Sequence, residues 1–166
     1  MAKKKVSTAN IVMLVAALLG VVAILMLFAP GVTSKTASVL GKSQKTSVSG
    51  FKLMFGTEDG GKFNFVMFLT LIFAIAGLVG VVLSLLLNGK IGNFLAIGGF
   101  LLAGIFFFVF RAAYPMCMSD DAWKITEALI DSGALKLSLG IGAIMGGILS
   151  ILAALAAAAA TFAIKK

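Results

Sequence analysis

The chain has 166 residues, of which 61% are hydrophobic, with a mean hydropathy of +1.14 and a formal net charge of +8. Since a soluble domain is usually about 45–50% apolar, this composition excludes an ordinary water-soluble globular domain. The chain has no histidine and one cysteine, Cys117, so it lacks the commonest general base and metal ligand and cannot form an intrachain disulfide.

Four apolar runs predict an all-α membrane fold, a four-transmembrane-helix bundle in one integral membrane domain covering residues 1–166. Each run is free of charged residues and close to the roughly 20 residues that a helix needs to cross a bilayer. Asn-Gly-Lys at residues 88–90 predicts a tight turn between the second and third helices. The predicted helices cover about residues 10–30, 64–88, 91–113 and 137–164, which leaves outer loops at residues 31–63 and 114–136.

The first apolar run follows a basic tail that contains Lys3, Lys4 and Lys5. A basic tail before an apolar run also describes a secretory signal peptide. The apolar part of a signal peptide is typically ~7–15 residues long and ends at a cleavage site with small residues. This run is longer and has no such site, which favours a retained first helix.

The first outer loop has strand character in two places. Residues 32–40 are rich in β-branched side chains, and within residues 46–55 Phe51, Leu53 and Phe55 recur with a period of two. We predict a small extracellular β-sheet or hairpin whose Phe51, Leu53 and Phe55 face rests on the helix ends or the lipid interface. A disordered loop with an apolar patch is the alternative.

The second outer loop predicts a short outer helix before helix 4, capped by Ser119 or Asp120 and ended at Ser132-Gly133. We expect this amphipathic helix to lie on the membrane surface or against the sheet. Its predicted apolar face holds Ala122, Ile125 and Leu129, with Trp123 and Ile130 flanking it. The predicted membrane-interface anchors are Arg111, Tyr114 and Trp123.

The fourth helix carries small residues at every fourth position. Such a stripe lets helix backbones approach closely in lipid. It serves either a neighbouring subunit or packing inside the chain's own bundle, and the sequence leaves both open. The residues predicted for self-association are Phe51, Leu53 and Phe55 in the loop, and Gly142, Gly146, Ser150, Ala154 and Ala158 on this stripe.

Reactive groups are sparse. No charged side chain lies within the four runs, which disfavours proton-coupled or ion-coupled transport. The acidic residues that follow Ser119 are typical of helix capping and solvated charge rather than a cation site. Cys117 lacks a partner for catalysis or zinc binding. The sequence therefore predicts no enzyme, no cofactor and no metal site.

The distribution of charge predicts the orientation in the plasma membrane. Lys3, Lys4, Lys5, Lys90, Lys165 and Lys166 fall on one side of four spans, without any acidic residue. The other side holds eight basic residues, seven in the outer loops and Arg111 at the end of the third helix, with all six acidic ones, spread over longer segments. The density of lysine near the helix ends places both termini in the cytoplasm.

The layout resembles the claudin-like tetraspan architecture, with four helices, short tails, a tight inner turn and a long first outer loop with strand character. The stretch from Gly50 to Gly56, Gly-Phe-x-x-x-Phe-Gly, is similar to an element of small four-helix membrane proteins of Gram-positive bacteria and their wall-less relatives. The tryptophan and cysteine signature of the claudin first loop is absent, since the only tryptophan is Trp123. The resemblance implies lateral self-assembly through outer loops.

These features predict a non-enzymatic, self-associating membrane scaffold that forms a homo-oligomer or extended array. Its partners would be membrane lipids and further copies of the chain, with no nucleic acid. The alternative is an accessory subunit that docks on other membrane proteins, in a transporter, channel or secretion complex. A third hypothesis, a carrier or pore for a neutral solute, requires a roomy cavity between the helices.

Overall fold

The computed structural model of the chain describes residues 7–36, 44–56, 61–87 and 90–163. Four of its helices are long and apolar enough to cross a membrane, as the sequence predicted. These helices are α1 (Thr8–Leu25), α3 (Phe65–Leu87), α4 (Lys90–Ala113) and α6 (Ile141–Ala158). Short 3₁₀ turns extend α1 through Met26–Phe28 and α4 through Tyr114–Cys117, and a π-turn, Ala159–Ala163, extends α6.

The bundle buries small residues and exposes large apolar ones. Ala16, Ala96 and Ala153 are fully buried, whereas Leu86 and Ile91 are 74% and 81% exposed. A protein in water would gain from the opposite arrangement because burying a large apolar side chain stabilises it there. Without a hydrophobic force between helices in lipid, small residues at helix contacts are favoured instead. This pattern supports a multi-pass membrane protein.

Glycines bring α3 and α4 into backbone contact. A Cβ atom added at Gly80 would lie 2.8 Å from Ala96 Cα, and one added at Gly99 would lie 2.7 Å from Gly77 Cα. The ring of Phe100 is fully buried and would lie 2.6 Å from a Cβ atom at Gly77. The turn predicted at residues 88 and 89 lies outside the described residues, but the close pairing of α3 and α4 is the predicted helical hairpin.

A three-stranded antiparallel sheet lies at the end of the bundle where α1 finishes. Its strands are β1 (Pro30–Thr36), β2 (Gln44–Ser49) and β3 (Leu135–Leu139), in the order β2-β1-β3. Val32 and Leu137 on its inner face are buried in one core with Leu27, Phe107 and Phe110 of the helices. The sheet is thereby fixed on the helix ends. The end of the first predicted strand and the turn after it, residues 37–43, lie outside the described residues.

The prediction of helix 4 was wrong at its start. Residues 135–139 form β3, which pairs with β1, and the helix begins at Ile141 instead of residue 137. Leu135, Leu137 and Leu139 alternate with polar residues, which is the period of a strand. The backbone N–H of Gly140 donates to Gly31 O at 2.8 Å, so β3 is tied to β1 up to the first turn of α6.

The predicted strand through residue 55 was also wrong. β2 ends at Ser49, and a short helix, α2 (Gly50–Phe55), follows, with the Ser49 hydroxyl accepting from Lys52 N at 3.4 Å. Leu53 and Met54 are both buried. Adjacent residues of a strand point to opposite faces, so a strand resting on the bundle could not bury both, whereas a helix turn does.

The helix in the second loop is confirmed as α5 (Asp120–Asp131), with Ser119 as its N-cap. Of its predicted apolar residues, the two flanking ones pack against the protein. Trp123 and Ile130 lie against the core, while Ile125 and Leu129 are exposed and Ala122 is exposed beside them. The helix lies against β3, and its position after the 3₁₀ turn decides which side packs.

Candidate association surface

The predicted self-association residues of the fourth membrane helix, which is α6 in the structure, lie inside the bundle. Gly142 meets the backbone of Met26 and Ala29 after α1, and Gly146 meets the ring of Phe107. Ser150 and Ala154 are buried as well, and Ala158 is half-buried. The stripe therefore serves internal packing, one of the two roles that the sequence left open.

The predicted loop residues separate into two groups. Leu53 is buried in the core beneath the sheet, so it supports α2 from within. Phe51 and Phe55, four residues apart on α2, are 39% and 48% exposed. Only these two of the eight predicted residues present large apolar surface to the outside.

Phe51 and Phe55 belong to a continuous group of five rings, which we call the aromatic patch. Its members are Phe28, Phe51, Phe55, Phe63 and Phe68. Phe28 stacks on Phe51 with ring centroids 5.1 Å apart, and Phe51 lies 4.8 Å from Phe55. Phe55 then contacts Phe63 at 6.1 Å and Phe68 at 5.8 Å. These distances are those of favourable aromatic pairs.

Three elements build the aromatic patch. The turn after α1 supplies Phe28, and α2 supplies Phe51 and Phe55. Phe63 lies two residues before α3, and Phe68 lies in the first turn of α3. Phe28 and Phe63 are more than half exposed. Large exposed aromatic groups mark protein or membrane interaction sites. Sequence reasoning missed Phe28, Phe63 and Phe68 because they are far apart along the chain and meet only in the fold.

A sheet edge continues the aromatic patch. β2 leads directly into α2 and pairs with β1 on one side, and no other strand among the described residues pairs with it. Gln44, Lys45, Thr46 and Ser47 on β2 are all exposed. An edge strand offers backbone donors and acceptors to another chain. The edge and the aromatic patch together form one surface with polar and apolar halves.

Beneath α2 lies a buried polar centre around Asn64. Its side-chain amide donates to Ala113 O at 2.7 Å, and its Oδ1 accepts from Met67 N at 3.1 Å, which caps α3. Cys117 Sγ lies 3.2 Å from the Asn64 amide nitrogen and 3.2 Å from Leu53 O. This centre joins the start of α3, the end of α4 and the inner side of α2, so it fixes the surface that α2 presents.

Burial of Cys117 gives a direct test of this packing. The side chain is only 6% exposed, so a maleimide reaches it only after local opening. We expect labelling in mild detergent to be at least about a hundredfold slower than in the denatured protein. Timed alkylation followed by mass spectrometry measures both rates. Equal rates would show that the centre is open to solvent.

Two of the three predicted interface anchors line a cleft of about 580 Å³ between α4, α5 and β3. Arg111 and Trp123 line it, together with Glu127 and Asp131 of α5. Tyr114 is half-buried beside the core. An exposed ion pair, Lys62 to Asp120 at 3.1 Å, ties the entry of α3 to α5, and such surface pairs contribute little.

The described residues hold no group of three histidine, cysteine, aspartate or glutamate side chains that could bind a metal ion. No known family model matches the sequence, and no curated protein matches it. What supports the tetraspan resemblance is the layout of four apolar helices with an antiparallel sheet at one end.

Proposed function

We propose that the chain is a non-enzymatic membrane scaffold that self-associates through the aromatic patch and the adjoining edge of β2. The observation that carries the proposal is the run of five phenylalanine rings in mutual contact, with Phe51 and Phe55 at its centre. Aromatic side chains dominate the binding energy of protein interfaces. Backbone pairing at the edge of β2 would give the association its register.

The setting that we propose is the plasma membrane, with both termini in the cytoplasm. The lysine-rich tails and Lys90 have no acidic residue near them in the sequence, which favours the cytoplasmic side. The sheet, α2 and α5 then lie outside the cell. In this orientation the aromatic patch lies on the outer side, at the helix ends. The resemblance to claudin-like tetraspans implies lateral self-assembly through the outer loops.

The test compares oligomer mass with and without the aromatic patch. We expect the Phe51→Ser and Phe55→Ser double variant to weaken self-association about a hundredfold, because two central aromatic contacts are lost. Light scattering over a dilution series in mild detergent, and imaging of the protein in lipid, measure the mass of each species. The matched control is Phe94→Ser with Phe162→Ser, an exposed ring pair 6.2 Å apart at the other end of the bundle.

The outcomes separate the two hypotheses. Regular oligomers of the natural chain that dissociate only in the Phe51 and Phe55 variant support the scaffold. A natural chain that stays monomeric at every concentration contradicts it and favours the accessory subunit, whose partner would copurify. Equal weakening in both double variants would assign the effect to general loss of apolar surface.

A further inference from the structure

Three lysines lie side by side across the sheet. Lys35 on the central strand β1 is directly opposite Lys45 of β2 and Lys136 of β3. Residues directly opposite each other point to the same face of a sheet. All three side chains are exposed. With neighbouring strands about 4.8 Å apart, this lysine row spans about 10 Å.

The lysine row is unfavourable for the sheet itself. Like charges directly opposite each other destabilise a strand pair. A lysine on an edge strand discourages unwanted edge pairing, which accounts for Lys136 on β3. That explanation does not apply to Lys35, since β1 is the central strand. Lys35 at the centre of the row therefore does not stabilise the sheet, and we infer that it binds a group outside the chain.

The row has no partner among the described residues. The ion pair there joins Lys62 to Asp120, and none involves Lys35, Lys45 or Lys136. Lys136 borders the cleft that holds Glu127 and Asp131, yet it pairs with neither carboxylate. Three positive charges within about 10 Å are left for an external anion to neutralise.

The face that carries the row is polar, with three exposed lysines and with Thr33, two residues before Lys35 on β1, buried. Val32 and Leu137 are on the opposite face, where they are buried in the core. On the lysine face the next positions are Ser47 and Ser138, each opposite Thr33. The face offers ammonium groups and the hydroxyl of Ser47, whereas Thr33 is buried and the Ser138 hydroxyl donates to Thr33 O at 3.3 Å. These positions carry no apolar residue of the kind that insertion into a lipid layer requires.

We propose that this face binds a linear inorganic polyphosphate, with the three lysines neutralising successive phosphates. Lysine ammonium groups on flexible stems match a phosphate chain without fixed geometry. The row is purely cationic, since the three lysines are neighbours across the sheet and no carboxylate lies between them. The row lies on the face of the sheet and contains no residue of the aromatic patch, and it shares only Lys45 on β2 with the proposed association surface.

The test measures binding of fluorescently labelled inorganic polyphosphate to the full chain in nanodiscs of phosphatidylcholine. The variant is Lys35→Gln with Lys45→Gln and Lys136→Gln. The matched control is Lys52→Gln with Lys90→Gln and Lys124→Gln, which removes the same charge from exposed positions outside the sheet. Fluorescence anisotropy at several salt concentrations gives the affinity and its salt dependence.

We expect the sheet variant to bind at least about tenfold more weakly and to lower the slope of log affinity against log salt by about 2, since three phosphate contacts are lost. The control should keep the slope of the natural chain. Equal losses in both variants would overturn the proposal in favour of net charge alone. Absence of polyphosphate binding to the natural chain would overturn it as well.

Two further binding measurements distinguish polyphosphate from other anions. Vesicles of phosphatidylglycerol that bind the natural chain, when polyphosphate does not, would assign the row to a facing membrane and overturn the soluble ligand. Single-stranded DNA that binds more tightly than polyphosphate at the same salt would overturn it in favour of nucleic acid. The Cys117 labelling rate, kept slow in every variant, shows that the fold is intact.

Discussion

Replacing Gly99 with alanine is expected to lower the free energy of unfolding by about 3 kcal/mol, because the added methyl group enters a backbone contact that cannot yield. A Cβ atom there would lie 2.7 Å from Gly77 Cα and 2.8 Å from Phe73 O, both on α3. The contact is between main chains, so no side chain can rotate away. The helices α3 and α4 must separate or shift to accept it.

The neighbouring glycine provides the control. A Cβ atom at Gly98 would meet nothing within 4 Å, so Gly98→Ala should not destabilise the protein, and the helix propensity of alanine should raise the unfolding free energy by about 0.5–1 kcal/mol. Equilibrium unfolding in mild detergent, followed by the fluorescence of Trp123, measures both variants. A Gly99→Ala variant as stable as Gly98→Ala would mean that the two helices do not meet at this point.

The membrane helices were predictable because they depend on local properties. A run of about twenty residues without charge satisfies its backbone hydrogen bonds within itself, whatever surrounds it. The two uncharged runs therefore predicted helices at residues 64–88 and 91–113, and each end lies within one residue of the observed ends of α3 and α4. The capping residue Ser119 similarly predicted the start of α5.

The short elements were not predictable from the same patterns. α2 and β3 have six and five residues, too few for a period to decide between helix and strand. Residues 50–55 form a helix because Leu53 and Met54 both fit the core over Phe110 and Met67. Residues 135–139 form a strand because they pair with the edge of β1 that β2 does not occupy. In both cases the deciding contact is with residues distant in the chain.

The candidate surface shows the same limit. Small residues at Gly142 and Gly146 predicted close contact, but the sequence does not say which neighbour makes it, and the neighbours are Met26, Ala29 and Phe107 of the same chain. The aromatic patch joins three separate segments. A signal for it was present only at Phe51 and Phe55, whose spacing of four also fits one side of a helix.

Replacing Asn64 with alanine is expected to destabilise the protein by about 3 kcal/mol, the sum of a lost helix cap and a buried carbonyl left without a donor. Asn64 is 1% exposed, and its side chain both accepts from Met67 N and donates to Ala113 O. Alanine can do neither. The start of α3 and the end of α4 then lose the side chain that links them.

Two further variants separate the parts of this effect. Asn64→Ser keeps an oxygen that can cap α3 and should recover about 1 kcal/mol, whereas Ser49→Ala removes the exposed cap of α2 and should cost no more than about 1 kcal/mol. Trp123 fluorescence during unfolding gives the free energies, and Cys117 alkylation reports local opening. Since Cys117 Sγ contacts the Asn64 amide, Asn64→Ala should also speed alkylation. A stable Asn64→Ala variant with slow alkylation would show that the helix ends are held by apolar packing alone, and that the outer surface does not depend on the polar centre beneath it.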